Sequence, residues 1–384
     1  MVTSMTCNPV RVGVLFGGKS GEHEISLLSA QTVIRALDDA GYETVRLGIT
    51  KTGEWLTGAD PLAQLTSSKV KENGHGGIKE ADAAPLAPRP TQFPLMQHSE
   101  RLPSVDLIFP VLHGPYGEDG TVQGLLEMLE MPYVGCGVLA SAVAMDKITA
   151  KALFAAAGIP QVAYRTLLRR NWAEGPESDA GSLENRREKI LDELESTLPY
   201  PLFVKPANLG SSVGISKARD RAELAHAIEL ACRYDRKVLV EEGVHDAREL
   251  EVSVLGNDAP RASVVGEVVP ANEFYDYEAK YLDKGSRLLI PADIPPALAD
   301  EIRLLSVRAF QALDGAGLAR ADFLLGADGQ LYLNELNTMP GFTASSMYPK
   351  LWEASGVPLT ELVGILVDMA LERHADRGQN RIHR

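Results

Sequence analysis

Four polar side chains in the last third of the chain, Arg320, Asp322, Glu335 and Asn337, stand at spacings that could do chemistry. They flank Asp328-Gly329, and Asp-Gly between alternating apolar residues is a two-residue hairpin signal. With that pair at the turn centre, Asp322 falls opposite Glu335 and Arg320 opposite Asn337. Side chains two apart share a strand face. All four then project from one face, next to Leu324 and Leu333. Two carboxylates and an amide gathered this way call for a cation. Hard oxygen donors suit Mg²⁺, which takes one or two carboxylates and completes its shell with water and substrate phosphates. The plainer alternative is an exposed sheet end carrying a surface salt bridge.

Further segments could supply a polyanion site. Lys205-Pro-Ala-Asn-Leu-Gly210-Ser211-Ser212-Val-Gly214 follows a strand. Its glycines let the backbone approach a phosphate, its N–H groups and hydroxyls can donate, and its lysine adds a point charge. The spacing is not that of a Walker A loop, and a plain Gly/Ser turn is the alternative. Lys147 follows Met145-Asp146 in a helix, where a lone lysine is ordinarily a solvated charge. Gly17-Gly-Lys-Ser-Gly-Glu22-His-Glu24-Ile-Ser26 sits at a strand-to-helix turn without the GxGxxG fingerprint. Its acids either stabilise the helix start or bind an ammonium group. His113 ends a buried strand, at the end of a parallel sheet where open α/β folds bind ligands; a structural histidine is the alternative. Tyr275-Asp-Tyr277-Glu-Ala-Lys280-Tyr281 is aromatic for a polar loop. Such a loop can close over a site or pack its own rings on the surface.

The elements that must position these residues follow an α/β rhythm. Val10–Phe16 reads as a strand, Ser26–Leu37 as a helix and Thr44–Ile49 as a strand. Residues 57–104, with six prolines and Asn73-Gly-His-Gly-Gly, read as a surface excursion. A strand from Asp106 and a helix over Thr121–Leu129 follow. One Ala-rich helix is expected over Ala140–Ala157, stopped by Gly158 and Pro160. A polar loop covers 170–188. Strands at Leu202–Val204 and Val238–Glu241 flank the glycine-rich loop. Glu251–Leu255 and Ala262–Val269 are further strands, 271–288 is a loop, and Pro296–Ala316 is a helix. The tail after Arg373 reads as frayed.

A chain of 384 residues suggests more than one core. A net charge of −14 argues against a nucleic-acid or anionic-membrane partner, though not against a small anionic substrate held by a few local cations. Cys7, Cys136 and Cys232 are isolated, which fits a reducing compartment without structural zinc. No apolar run reaches a membrane-spanning length, and Met1–Asn8 lacks the basic and apolar regions of a signal peptide. A cytoplasmic protein is expected.

Together the stretches GGKSGEHEISLLSA (17–30), HGPYGEDGTVQG (113–124), MDK (145–147), KPANLGSSVGISK (205–217), YDYEAKY (275–281), ARADF (319–323) and NELNTMPGFTASS (334–346) resemble the D-alanine–D-alanine ligase family of the ATP-grasp superfamily. The likeness runs from about residue 10 to residue 350. It implies a three-domain α/β ATP-grasp fold: an N-terminal Rossmann-like parallel-sheet domain over 1–135, a central domain over 136–241 and a C-terminal domain over 242–384. It also implies ATP-dependent joining of two D-alanines for peptidoglycan synthesis, through an acyl phosphate that the second amine displaces.

The family pattern then assigns roles. Lys147 and Lys205 contact the ATP phosphates, which Ser212 and its loop cover. Glu241 and Glu249 match adenine- and ribose-binding positions, although the segment between them is one residue longer than in some relatives. Asp322, Glu335 and Asn337 hold two Mg²⁺ ions, with Mn²⁺ as a substitute and a K⁺ requirement left open. Glu22 meets the first D-alanine's ammonium, supported by His113, and joins Ser211 and Tyr281 in a hydrogen-bonded chain. Arg320 and the Gly341 N–H stabilise the tetrahedral oxyanion. Ser346 holds the second carboxylate, and Lys280 reaches the phosphate in transfer. The Lys280-Tyr281 pair favours an amine acceptor. D-lactate or D-serine as acceptor is the alternative within the superfamily, and a nucleotide-binding oxidoreductase or non-catalytic module the alternative outside it. A homodimer is expected from the resemblance.

Overall fold

The computed structural model describes residues 10–58, 60–72, 104–173, 180–210, 213–269 and 287–381. Its first sheet grows from β1 (Arg11–Gly17), buried at every position after Arg11. A strand buried on both faces needs cover on both. It pairs in parallel with β2 (Glu43–Ile49) and β4 (Leu107–Pro110), and β2 pairs antiparallel with the short edge strand β3 (Trp55–Leu56). Val12, Val14 and Phe16 face α1 (His23–Asp39). Leu15, Leu47 and Ile108 face α3 (Thr121–Met128) on the other side. Helix α2 (Pro61–Glu72) packs at the β2 edge. This is the expected Rossmann-like layering.

Gly17 ends β1 at a φ of +93°, and a Cβ there would lie 2.1 Å from the Ile49 carbonyl oxygen. Glycine lets the chain turn there into the loop that carries Glu22.

Helices α4 (Val138–Met145) and α5 (Lys147–Ala156) come next. The second sheet has the order β5-β8-β6-β7 and is antiparallel throughout. Its strands are β5 (Tyr164–Leu168), β6 (Leu202–Pro206), β7 (Ser216–Ala218) and β8 (Lys237–Glu242). Helices α6 (Arg169–Ala173), α7 (Ala180–Thr197) and α8 (Arg221–Tyr234) close its core with Trp172, Leu191, Leu224 and Ile228. The third sheet has the order β11-β10-β9-β12-β13. It comprises β9 (Arg248–Gly256), β10 (Arg261–Val269), β11 (Arg287–Leu289), β12 (Gly317–Leu325) and β13 (Leu331–Asn337). Helix α9 (Pro296–Ala312) covers it. Helices α10 (Met347–Ala354) and α11 (Leu359–Arg377) follow.

Several sequence expectations are corrected. The Ala-rich helix is two helices. Asp146 adopts an extended ψ of 92° and accepts a hydrogen bond from the Thr149 N–H, so it caps α5. Lys147 therefore opens a helix instead of lying within one. Parts of the 170–188 loop are helical in α6 and α7, and Arg287 and Leu288 of the 271–288 loop lie in β11. Helix α9 stops at Ala312, and α11 continues past Arg373 to Arg377. Within the 57–104 excursion, α2 is described, and residues 73–103 lie outside the described residues.

Cores also cross the expected divisions. Cys136, Ala150 and Phe154 pack with the third sheet, although a central domain was expected from 136. Tyr348, Trp352, Leu362 and Leu366 fold back onto the first sheet.

Candidate active site

The β12–β13 hairpin brings the four polar residues together, by a different route from the one expected. Arg320 pairs with Asn337 and Asp322 with Glu335, yet Leu324 pairs with Tyr332 and Leu325 with Leu331. Near the tip the register is one residue off. The Gly329 N–H donates to the Gly326 carbonyl and Gly329 has a φ of +80°, so the loop is a turn followed by a left-handed glycine. Asn334 is the surplus residue of a β-bulge, and it restores the expected pairing beyond it. The bulge also corrects a side-chain assignment. Leu333 faces the core with Phe323 and Ala321, and Tyr332 stands beside Leu324 instead.

The site face continues onto β9, where Glu251 is paired with Asp322 and Glu249 with Leu324. The Arg320 guanidinium forks onto Asp322, with Nε and an Nη each 2.6 Å from a carboxylate oxygen, and meets Glu251 at 3.0 Å. Two acids, Asp322 and Glu251, thus meet one arginine. Glu251 was missed in the sequence because it lies in an apolar strand far from the hairpin. The fixed fork of Arg320 suits an oxyanion as well as a carboxylate.

Across the cleft stand the lysines. Lys147 opens α5, donates from Nζ to the Leu209 carbonyl at 2.7 Å and lies 3.9 Å from Glu335. Lys205, on β6, reaches Glu241 at 2.5 Å and Asn334 Oδ1 at 3.2 Å. Glu241 is 2% exposed and also binds Lys151 at 2.5 Å. Burial alone would raise the Glu241 carboxyl, but Lys205 and Lys151 hold it down to about 2. Glu118, Lys147, Gly210, Glu335 and Asn337 line an open cleft of about 340 Å³.

The N-terminal loops close the other wall. Glu22 is buried just before α1, and a Cβ at Gly114 would lie 2.7 Å from its Oε2. His113 is buried, with Nδ1 3.0 Å from the Met339 carbonyl and Nε2 3.2 Å from Ser29 Oγ. Burial lowers its pKa, against the opposing pull of Glu22. A neutral ring satisfies both contacts, donating from Nδ1 and accepting at Nε2. Ser29 Oγ also accepts from the Phe342 N–H at 3.3 Å. His113 and Ser29 thus tie the first sheet to the 339–342 segment that contains Gly341. Ser346, just before α10, accepts from the Thr343 N–H at 2.9 Å. Ser211, Ser212, Lys280 and Tyr281 lie outside the described residues.

Glu118 was also missed, although it lies in a quoted motif. It is 8% exposed and accepts from the Gly114 N–H at 2.7 Å. Burial, then the charge on Glu22, pushes its carboxyl up to about 8. An acid raised above its unfolded value of 4.5 contributes stability that is present below that value and lost as pH rises through the native one. Glu118→Gln keeps an acceptor for Gly114 without a charge, so it should flatten the loss of stability between about pH 5 and pH 8. Thermal melts of both proteins at the two pH values would test this, and an equal fall in both would contradict it.

The donor set fits Mg²⁺. Among the described residues no group of three His, Cys, Asp or Glu side chains could by itself hold a metal ion, so any ion here needs the Asn337 amide, water or substrate oxygens as well. Glu335 and Asn337 line the open cleft and Asp322 stands opposite Glu335, a donor set that suits an ion whose remaining ligands are water and phosphate oxygens.

The comparisons agree along the length of the chain. Residues 11–136 match the family model described as D-ala D-ala ligase N-terminus, and residues 153–368 the one described as D-ala D-ala ligase C-terminus. The D-alanine–D-alanine ligase of Heliobacterium modesticaldum is 50% identical over 377 residues, 97% of this chain and 98% of that protein. The one from Bacillus cytotoxicus is 47% identical, over 96% of this chain and 97% of its own. Among solved structures, the D-alanine-D-alanine ligase from Coxiella burnetii aligns with a TM-score of 0.75 at 36% identity, covering 97% of this chain and 96% of its own. The VanG D-Ala:D-Ser ligase from Enterococcus faecalis aligns at 0.76 and 33%, covering 94% and 99%. With three sheets in this arrangement and likeness at this level over nearly every residue, the chain belongs to the D-alanine–D-alanine ligase family.

Proposed function

We propose that the chain joins two D-alanines into D-alanyl-D-alanine at the expense of ATP, supplying a peptidoglycan precursor. The observation that carries this reading is one cleft that gathers Lys147, Glu335 and Asn337, with Asp322 opposite Glu335 and Lys205 held by Glu241 and Asn334. Lys147, Lys205 and Ser212 bind the phosphates. Glu241 and Glu249 serve the nucleoside. Mg²⁺, held by Asp322, Glu335 and Asn337, supplies charge neutralisation for phosphoryl transfer when bound.

Glu22 receives the first substrate's ammonium in a pocket shaped by His113 and Gly114. The substrate's own carboxylate attacks the terminal phosphorus of ATP, ADP leaves, and an acyl phosphate forms. The second amine attacks that carbonyl, and phosphate leaves. Arg320 and the Gly341 N–H face the oxyanion, preorganised by the Asp322 and Glu251 contacts and by the His113–Met339 tie. Ser346 holds the second carboxylate. By the family pattern Ser211 and Tyr281 partner Glu22, and Lys280 serves the phosphate in transfer. The reaction belongs in the cytoplasm, where ATP is available, and the active species is a homodimer.

The test is ATP-dependent phosphate release with D-alanine, with L-alanine, D-lactate and D-serine in parallel and products identified by mass. D-alanine alone should suffice, giving the dipeptide. Release that requires D-lactate or D-serine would keep the chemistry and overturn the acceptor. Release with none of them would overturn the reading.

A further inference from the structure

Lys151 lies one turn beyond Lys147 on α5 and is 2% exposed. A buried lysine is rare unless paired. Its Nζ lies 2.5 Å from Glu241 Oε1 and 5.3 Å from the centre of the Tyr164 ring. Glu241 Oε2 is taken by Lys205, also at 2.5 Å. Two ammonium groups therefore share one buried carboxylate.

That stoichiometry is unusual for an ion pair with a purely structural task. Glu241 and Lys205 alone would form a neutral pair at lower desolvation cost. The additional lysine leaves the cluster one positive charge in excess. It also fixes the orientation of the carboxylate, because each oxygen has its own cation. Lys205 is then gripped from two sides, by Glu241 Oε2 and by Asn334 Oδ1 at 3.2 Å. Asn334 reaches it because the bulge in β13 places that residue there. Glu241 and Asn334, from two strands, converge on the Lys205 ammonium, and Lys151 stands behind Glu241.

We propose that Lys151 is a positioning residue for nucleotide binding: by occupying Glu241 Oε1 it turns the carboxylate to hold Lys205 toward the cleft with its charge uncancelled for a triphosphate. This rests on the reading that Lys205 binds ATP phosphates. Without Lys151, Glu241 is free to close on Lys205 as a one-to-one pair, drawing it inward and neutralising it. The burial cost of Lys151 is thus spent on the geometry of a second lysine. Desolvation lowers the pKa of Lys151, and Glu241 opposes that shift, as expected for an ammonium kept charged only by its partner.

The experiment compares Lys151→Met and Lys151→Arg with wild type, measuring ATP affinity by calorimetry, KM for ATP and for D-alanine, and the melting temperature. Lys151→Met should weaken ATP binding by about 10- to 100-fold, the worth of one charged contact. Its KM for D-alanine should change far less, and its melting temperature should hold or rise. Lys151→Arg, which keeps the charge on Glu241, should recover most of the affinity. Unchanged ATP affinity in a folded Lys151→Met protein, or a lower melting temperature with no change in ATP affinity, would overturn the proposal. If Lys151→Met does not fold, Asn334→Ala carries the test, because it leaves the buried triad intact and removes the other half of the grip. Unchanged ATP affinity there would overturn it equally. A wild-type protein that binds no ATP would sink the ligase reading itself, whereas intact wild-type binding beside unchanged variants sinks only this inference.

Discussion

Glu335→Gln should lower D-alanine-dependent phosphate release by about a thousandfold, the equivalent of several kcal/mol of lost charge stabilisation in the transition state. The substitution keeps the shape of the side chain and removes its charge. Glu335 faces Asp322 across the hairpin, lies 3.9 Å from Lys147 and lines the cleft. It is about one-third exposed, so the fold does not depend on it, and the melting temperature should stay near that of wild type. Activity and stability thus separate at this position. A Glu335→Gln protein that melts normally and releases phosphate within tenfold of wild type would remove this carboxylate from the chemistry. It would also weaken the assignment of Asp322 and Asn337, which rests on the same face.

Glu241→Ala should act the other way, on the fold first. It strands Lys151 and Lys205 without their shared anion. Breaking a buried pair by removing one partner costs about 3–5 kcal/mol, enough to consume much of the stability of an ordinary domain. Urea unfolding would read this as a lower midpoint with little change in slope. The pH dependence supplies a second signature. Burial opposes ionisation of Glu241, and the two lysines overcome it, holding the carboxyl at about 2 against 4.5 for a free glutamate. The contribution of a depressed acid is fully present above its unfolded value and is lost as pH falls toward the native one. Wild type should therefore lose stability through this group between about pH 4.5 and pH 2, and Glu241→Ala should lack that component. A variant with wild-type stability at neutral pH would mean that water or another anion solvates both lysines.

The sequence revealed best what repeats locally. The strand-turn-helix rhythm around Gly17, the hairpin around Asp328-Gly329 and the helix starting at Pro296 are each encoded within a few residues, and each lies close to where it was expected. The break at Asp146 was hidden because the flanking alanines favour helix on both sides, and a capping aspartate looks like any other polar residue inside a helical pattern. The residues missed from the site share a different cause. Glu251 comes from a strand of the same sheet that lies far away along the chain, and Lys151 meets Glu241 only where α5 packs against the second sheet. No spacing along the chain announces such a meeting. Glu118 lay in a quoted motif, but nothing in the motif told a buried acid from a loop acid. The tie from His113 to the Met339 carbonyl spans two halves of the chain, so the histidine was found as a motif member while its partner was not.

Asn334 gives the hairpin two independent halves. A strand normally links every side chain to every other by parity, so a slip at one end is felt at the other. A surplus residue between Leu333 and Glu335 breaks that link. The tip can change its turn residues by same-length replacement with no consequence for the acids. Loss of the single codon for Asn334 would leave the pairs on both sides of it as they are, with Leu333 opposite Phe323 and Glu335 opposite Asp322, and would remove the contact to Lys205. Leu336 would stay in the apolar layer beside Ala321, and Glu335 on the cleft face opposite Asp322. The surplus residue therefore serves the grip on Lys205 and not the parity of the acids, and its loss should cost that contact before it costs the fold.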